Sequence, residues 1–317
     1  MNLIYVDHAG YHLEKAEGAM LVRNTDGQIL RSLPIRHVER LYLQGDQHLH
    51  TGLLLALLEH GCEIVFLSPR KNQVMGQILG PKHQDARIRQ QQYAWSNDPE
   101  HKLLLSSRWV RSKLLTQKRA TQRWLRAAQG DRHTLLLARD RLEQNLAALS
   151  SAQHPALLGL EGSAAAAYFP AYFSTLPLPV RPKERSRRPP RDPANALLSL
   201  GYTLLLKEAV HVAHAHGLDP YVGFYHELSF GRESLACDLI EPLRTRVDLW
   251  VAALLNDGLL RAESFGGEDG VACHLGKAGC GIFYREWAQQ VSGLRRSLRR
   301  YARCLVRQLR GRDASNP

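Results

Sequence analysis

Cysteine is scarce in this chain of 317 residues, and its few copies are odd in number and scattered: Cys62, Cys237, Cys273, Cys280 and Cys304. Such a pattern is typical of reduced thiols in a cytoplasmic protein, which is the location we expect. None of them forms a C-x-x-C pair, which argues against a structural zinc site.

Long apolar runs are also missing. No stretch reaches the roughly eighteen apolar residues that a membrane span needs. The first fifteen residues, MNLIYVDHAGYHLEK, lack a charged region followed by an apolar one, so we expect mature structure here and not a signal peptide.

Acidic residues are outnumbered, with thirty Asp and Glu against forty-two Lys and Arg and a formal net charge of +12. This surplus favours an anionic partner, with nucleic acid ahead of an anionic membrane surface. The alternative is a solvated basic surface that only confers solubility, but the positive charge is clustered along the chain.

The hydrophobic pattern changes its period near residues 80–90. Short runs with β-branched or aromatic residues, such as AMLVRN and VERLYLQG, precede the change, and one helix, TGLLLALLEHGC, interrupts them. Helix formers with a period near 3.6 follow it. The sequence therefore predicts an α+β protein, with a small β-rich N-terminal domain at 1–83 and a larger all-helical domain at 84–317.

One segment inside the helical region stands apart. Residues 181–192, RPKERSRRPPRD, hold six basic residues, two acids and three prolines. Proline blocks helix continuation, and almost nothing apolar is available to bury. We predict an exposed, mobile loop here.

A pair of acids marks the first candidate site. Asp238 and Glu241 are three residues apart in a helical pattern, which places both carboxylates on one face beside apolar neighbours. Arg232 and Arg244 are possible partners, and the pair alone would suggest a salt-bridged helix face. Pro242 favours more than that, because it lacks an N–H and predicts a kink beside the two acids.

His226 and Glu161 complete the candidate set. His226 lies where the chain can fold back towards the acidic helix, although a lone histidine is usually structural. Glu161 is flanked by Gly159, Gly162 and four alanines, which predicts a closely packed neighbour; the alternative is a first-turn carboxylate. Carboxylates with one imidazole suit Mn²⁺ or Mg²⁺ better than zinc.

A competing cluster of histidines lies in HVAHAHG at His211, His214 and His216. The first two could share a helix face, but no carboxylate or cysteine nearby completes a site. We interpret these histidines as a surface cluster.

Several blocks then resemble one family. GLEGSAAAAYF, RSRRPPRDPANALLSLGYTLL, GLDPYVGFYHE, GRESLACDLIEPLR and VDLWV resemble the CRISPR-associated integrases, the catalytic subunits of the spacer-acquisition complex. The resemblance covers about residues 1–290. It implies a β-rich domain that contributes to a homodimer, a helical catalytic domain, and a small ferredoxin-like partner protein. Its metal ligands fall on Glu161, His226 and Glu241, and its additional acid falls on Asp238.

The resemblance also implies a reaction. The 3′-hydroxyl of an incoming DNA segment attacks a phosphodiester of the CRISPR repeat with the help of Mn²⁺ or Mg²⁺, and water in its place gives nuclease activity. Two alternatives stay open: another metal-dependent, structure-specific DNA nuclease, which needs no small partner, and a non-catalytic DNA-binding scaffold in which the acids are structural.

The end of the chain is rich in arginine. Residues 295–312, RRSLRRYARCLVRQLRGR, contain eight Arg and no acid, with apolar residues at helical spacing. This predicts a basic amphipathic helix, for which we favour DNA over a membrane surface or a merely solvated face. The arginines that we expect to contact DNA are Arg187, Arg188, Arg191, Arg232, Arg244, Arg296, Arg299, Arg300 and Arg303.

Overall fold

The computed structural model describes residues 2–67, 74–78, 80, 83–268 and 271–311. The chain divides into two compact units, Met1–Lys82 and His83–Pro317. The first is rich in strands and the second is mostly helical, which confirms the predicted α+β class.

The N-terminal unit contains two four-stranded sheets and one helix. One sheet has the order β1-β5-β7-β8, in which the first three strands are parallel and β8 is antiparallel. The other has the order β4-β3-β2-β6, an antiparallel meander with β6 added in parallel. The elements are β1 (Asn2–Val6), β2 (His12–Ala16), β3 (Ala19–Arg23), β4 (Ile29–Pro34), β5 (Val38–Gln44), β6 (His48–Leu49), α1 (Thr51–Glu59), β7 (Glu63–Leu67) and β8 (Val74–Ile78).

The apolar faces of both sheets and of α1 form one core. Leu13, Met20, Leu41, Leu57 and Ile64 are fully buried in it. Most of these strands were predicted from their apolar residues. β2, with the sequence HLEKA, was not, because only Leu13 of its five residues is buried.

The helical unit contains eight helices among its described residues: α2 (Ala86–Asn97), α3 (Pro99–Arg126), α4 (Arg132–Ala148), α5 (His154–Ser174), α6 (Pro193–Ala215), α7 (Ser234–Ile240), α8 (Arg244–Asn256) and α9 (Lys277–Leu309). Helices α3, α4 and α5 pack against one another, and α6 packs against α7, α8 and α9. The site described below lies where α3, α5 and the α7–α8 junction meet.

Aspartate starts four of these helices. The carboxylates of Asp85, Asp98, Asp131 and Asp192 each accept a hydrogen bond from a backbone N–H in the first turn, at 2.7–3.2 Å. Capping of this kind satisfies donors that have no partner within the helix. Proline follows Asp98 and Asp192 at the first helical position, where its missing N–H costs nothing.

Within the described residues, one helix, α6, is long and apolar enough to cross a membrane by length and composition, and half of its most apolar window is buried. It carries the fully buried Glu208, which is ion-paired with Arg295 of α9. No span of this kind was predicted from the sequence.

The helical unit also contains a small hairpin that was not predicted from the sequence. Strands β9 (Phe265–Glu268) and β10 (Ala272–Leu275) pair antiparallel, and the Cys273 N–H donates to the carbonyl of Pro190 at 2.8 Å. The predicted all-helical domain therefore contains a pair of strands as well as its helices.

Candidate active site

The acidic helix breaks where proline was expected to disturb it. Helix α7 ends at Ile240, a 3-10 turn covers Glu241–Leu243, and α8 begins at Arg244. Pro242 lies in this turn and cannot donate a helical hydrogen bond. The predicted kink is confirmed, and it places Glu241 at the junction of two helices, where its side chain is almost fully buried.

Asp238 is fully buried and organises the segment before α7. One carboxylate oxygen accepts from the N–H groups of Phe224 and Tyr225 at 2.7 and 3.0 Å, and the other accepts from the N–H of His226 at 2.9 Å. Gly223 permits this close approach, because a Cβ there would lie 2.9 Å from the same carboxylate and 2.8 Å from the backbone of Ser234. Asp238 thus shapes the 223–226 turn.

The same carboxylate orients the imidazole of His226. The Nδ1 atom of His226 lies 2.7 Å from Asp238 Oδ1, and its Nε2 lies 4.0 Å from Glu241 Oε1. A carboxylate on one ring nitrogen fixes the tautomer and leaves the other nitrogen with its lone pair, as is usual behind a metal-ligating histidine. The predicted fold-back of His226 towards the acidic helix is therefore present, and Asp238 lies behind His226.

A lysine that was not singled out from the sequence joins the two remaining acids. The ammonium of Lys113, on α3, is ion-paired with Glu161 Oε1 on α5 and lies 2.6 Å from Glu241 Oε2. Glu161 and Glu241 therefore converge on one point, although they lie on different helices. The structure thus brings Glu161, His226, Asp238 and Glu241 into a single cluster.

The signal that could have found Lys113 is its position on a buried helix face. Val110, Lys113, Leu114 and Gln117 are all buried and recur at the spacing of one α-helical stripe. A charged residue within an apolar stripe predicts a buried partner.

Glu241 is held in its charged form by cations. Burial alone would raise its pKa, but the positive charges of Arg244 and Lys113 outweigh burial and lower the pKa to about 2. Arg244 Nε lies 2.8 Å from Glu241 Oε1, so this predicted partner is present, whereas Arg232 donates to the carbonyl of Glu227. The carboxylate is thus ionised at neutral pH.

Around Glu161 the structure differs in part from the prediction of a closely packed neighbour. A Cβ added to Gly159 or Gly162 would meet no described atom within 4 Å. The glycines lie on the exposed side of α5, so they do not create the close approach, but Glu161 itself faces α3, where Lys113 supplies its partner.

Three of the four clustered side chains, those of Glu161, His226 and Glu241, line a cavity of about 480 Å³, which we call the site cavity. Its other lining residues are mostly basic, aromatic or polar, and they include Lys113, Gln117, Phe169, Arg185, Arg187, Arg188, Tyr202, Tyr225, Arg244 and Asp248. Burial and the nearby carboxylates of Glu161 and Glu241 raise the pKa of the Tyr225 hydroxyl. Carboxylates and arginines that line one cavity suit a cation and a phosphate backbone together.

The donor types suit a hard divalent ion: two carboxylates and an imidazole whose Nδ1 atom is held by Asp238. In the geometry shown, no three His, Cys, Asp or Glu side chains of the described residues are placed to share an ion. The Lys113 ammonium lies between the two carboxylates instead. The histidine cluster at 211–216 likewise forms no such group among the described residues.

The basic segment 181–192 is more closely packed than expected. Pro182 is buried, and Arg185 donates to Asn195 Oδ1 at 2.7 Å while its guanidinium stacks near Phe169 and Tyr202. The prediction that the segment has nothing to pack is therefore wrong at Pro182 and Arg185. In the case of Arg185, the methylene groups and the planar guanidinium of an arginine can pack against aromatic rings. Arg187, Arg188 and Arg191 are exposed, as predicted.

Helix α9 carries its exposed C-terminal arginines on one face. Leu298, Leu305 and Leu309 are buried, whereas Arg296, Arg299, Arg300 and Arg303 are exposed. The amphipathic helix is confirmed over 295–309. Residue 312, the last of the predicted tail, lies outside the described residues.

A cluster of two carboxylates and an imidazole, bordered by arginines, suits an enzyme that acts on phosphodiester backbones. Comparison with known proteins gives the family. The model of the family "CRISPR associated protein Cas1" matches residues 4–289, and the chain belongs to this family.

Curated relatives agree over most of their length. The chain is 32% identical over 307 residues to a CRISPR-associated endonuclease Cas1 of Thermodesulfovibrio yellowstonii, covering 92% of each chain. It is 35% identical over 295 residues to one of Thermus thermophilus, covering 90% of this chain and 84% of the relative.

Solved structures share the fold. A Cas1 protein from Thermotoga maritima aligns with a TM-score of 0.79 at 20% identity, covering 100% of this chain and 99% of that one. A casposase bound to its integration product aligns with a TM-score of 0.77 at 20% identity, covering 97% and 91%. A chain of a Cas6-RT-Cas1–Cas2 complex aligns with a TM-score of 0.75 at 21% identity, covering 99% and 35%.

Proposed function

We propose that this chain is a divalent-metal-dependent DNA endonuclease and integrase that inserts short foreign DNA segments into a CRISPR array. One observation carries the proposal: Glu161 on α5 and Glu241 at the α7–α8 junction converge on the ammonium of Lys113, with the fixed imidazole of His226 beside them. Membership of the Cas1 family supports it.

In this proposal Glu161, His226 and Glu241 hold Mn²⁺ or Mg²⁺. When bound, such an ion lowers the pKa of an attacking hydroxyl and offsets the charge that develops on the phosphate. Asp238 does not touch the reacting atoms; it holds the imidazole of His226 at Nδ1, so that Nε2 faces Glu241.

The basic residues of the cavity hold the DNA. Arg187 and Arg188 are exposed at its rim and can pair with backbone phosphates, which requires no sequence preference. With the backbone held, the 3′-hydroxyl of the incoming segment forms a new phosphorus–oxygen bond in the repeat strand. The bond between that phosphorus and the 3′ oxygen of the repeat strand breaks, and the repeat strand leaves with a free 3′-hydroxyl. Water in place of that hydroxyl gives strand cutting.

We further propose that the chain acts in the cytoplasm as a homodimer, and that the β-rich unit contributes to this dimer. The homodimer then works together with the small ferredoxin-like partner Cas2. The fold shared with a chain of a Cas1–Cas2 complex supports the partner. The α9 arginines are a further surface for duplex DNA.

A half-site integration assay with and without the partner tests the proposal. His226→Ala and Glu241→Ala should abolish joining and metal-dependent cutting but leave DNA binding largely intact, since arginine contacts supply most of the affinity. Glu143→Ala is the matched control: it removes an exposed acid paired with Lys118 on α3 and should join DNA like wild type.

Three results would point elsewhere. Wild-type joining rates in Glu241→Ala would exclude the catalytic assignment. Cutting without partner-dependent joining would indicate another structure-specific nuclease. Undetectable binding of divalent ions would indicate a DNA-binding scaffold.

A further inference from the structure

Lys113 has an unusual environment for a lysine. It is 8% exposed and lies on the face of α3 that packs against α5 and the α7–α8 junction. Its ammonium is ion-paired with both Glu161 and Glu241. A buried ammonium is costly unless carboxylates compensate it, and here two carboxylates do so.

These contacts use one oxygen of each carboxylate that the proposed function assigns to a metal ion, namely Oε1 of Glu161 and Oε2 of Glu241. A hard divalent ion bound to a carboxylate oxygen lies about 2.0–2.6 Å from it. An ion that bridges these two oxygens would therefore occupy the position of the Lys113 nitrogen. Two cations cannot share that position, so binding of the ion requires the ammonium to move.

The structure offers the ammonium a second position. Gln117 lies one turn further along the same face of α3, is 3% exposed and lines the site cavity. Its Oε1 atom is buried and has no hydrogen-bond partner within the part of the chain that the structure describes. The flexible four-carbon side chain of Lys113 can direct its ammonium towards this acceptor, which lies one helical turn away.

We propose that Lys113 is a built-in competitor of the divalent ion. In the metal-free protein its ammonium neutralises Glu161 and Glu241; on metal binding it leaves the two carboxylates and turns towards Gln117. This inference rests on the proposed function. It makes Lys113 a positioning residue that lowers the affinity for the ion and stabilises the empty site.

The direct test is the affinity of the full-length, DNA-free protein for Mn²⁺, measured by electron paramagnetic resonance or calorimetry at fixed pH. Lys113→Met keeps most of the length of the side chain and removes its charge, so it should bind Mn²⁺ about tenfold more tightly or better. Lys118→Met is the matched control. It removes one positive charge from α3, the helix that also carries Lys113, and Lys118 pairs with Glu143 of α4. Its Mn²⁺ affinity should equal that of the wild type.

Thermal unfolding supplies a second readout. Without metal, Lys113→Met should unfold at a lower temperature than wild type, because the carboxylates of Glu161 and Glu241 then face each other without the ammonium between them. Added Mn²⁺ should raise its unfolding temperature by more than it raises that of wild type. Lys113→Arg retains the charge and should not gain affinity. If Lys113→Met does not fold, Lys113→Gln serves the same comparison.

Two outcomes separate this inference from the proposed function. Equal or weaker Mn²⁺ binding by Lys113→Met, while Glu241→Gln abolishes binding, would overturn the role of Lys113 and leave the metal site standing. Unchanged Mn²⁺ binding by Glu241→Gln in the wild-type background would overturn the proposed metal site, and this inference with it.

Discussion

Replacing Asp238 by alanine should destabilise the helical unit as well as abolish DNA joining. The carboxylate is fully buried and accepts hydrogen bonds from three consecutive backbone N–H groups, those of Phe224, Tyr225 and His226. Alanine leaves these donors buried without an acceptor. It also releases the imidazole of His226, which then has no partner at Nδ1.

The size of the effect follows from these hydrogen bonds. Each buried donor left without an acceptor costs about 1–3 kcal/mol, so three of them, partly relieved by water, give about 4 kcal/mol. For a unit of this size each kcal/mol shifts the unfolding temperature by about 2–4 °C, which gives a decrease of roughly 8–16 °C. Asp238→Asn keeps one acceptor oxygen and should fall in between.

Glu161→Ala is the informative comparison, measured by thermal and urea unfolding together with strand joining. Its side chain is 22% exposed, and Glu241 still compensates the Lys113 ammonium when Glu161 is absent, so the loss of Glu161 should cost about 1 kcal/mol. Both variants should lose joining, but only Asp238→Ala should lose substantial stability. If Asp238→Ala unfolds within about 1 kcal/mol of wild type, the assignment of Asp238 as a buried organiser of this turn is wrong.

Three further predictions concern packing, pH and DNA. Gly201→Ala should destabilise by about 1–3 kcal/mol in urea unfolding, because its Cβ would lie 2.7 Å from a side chain of α8; Gly159→Ala, in open space, should not destabilise. Burial raises the pKa of Asp248 from 3.8 to about 6 despite two tyrosine hydrogen bonds, so its neutral form is favoured in the fold. Wild type should therefore lose stability relative to Asp248→Asn as the pH rises from about 4 through 6, and a constant difference between them would contradict this. When alanine replaces Arg187, Arg188 and Arg191, the slope of log K against log salt should flatten by about 0.9 for each backbone phosphate that these arginines neutralise in the wild-type complex; an unchanged slope would mark them as ordinary solvated charges.

Several features of this protein follow from the sequence alone, because they depend on neighbours along the chain. The change of hydrophobic period separates the β-rich unit from the helical one. The proline at position 242 predicts the break that places Glu241 at a helix junction, since no later contact can restore its missing N–H. The blocks around Glu161, His226 and Glu241 predict which side chains form the candidate site.

Other features depend on which helices meet, and local patterns do not carry that information. The sequence suggests a catalytic role for Asp238, but packing buries it against three backbone donors and places it behind His226. Arg185 belongs to a segment too polar to form its own core, yet the rings of Phe169 and Tyr202 bury its guanidinium. Lys113 lies 48 residues from Glu161 along the chain. Only the packing of α3 against α5 and the α7–α8 junction places its charge between the two acids, because a buried ammonium is stable only where tertiary structure supplies carboxylates.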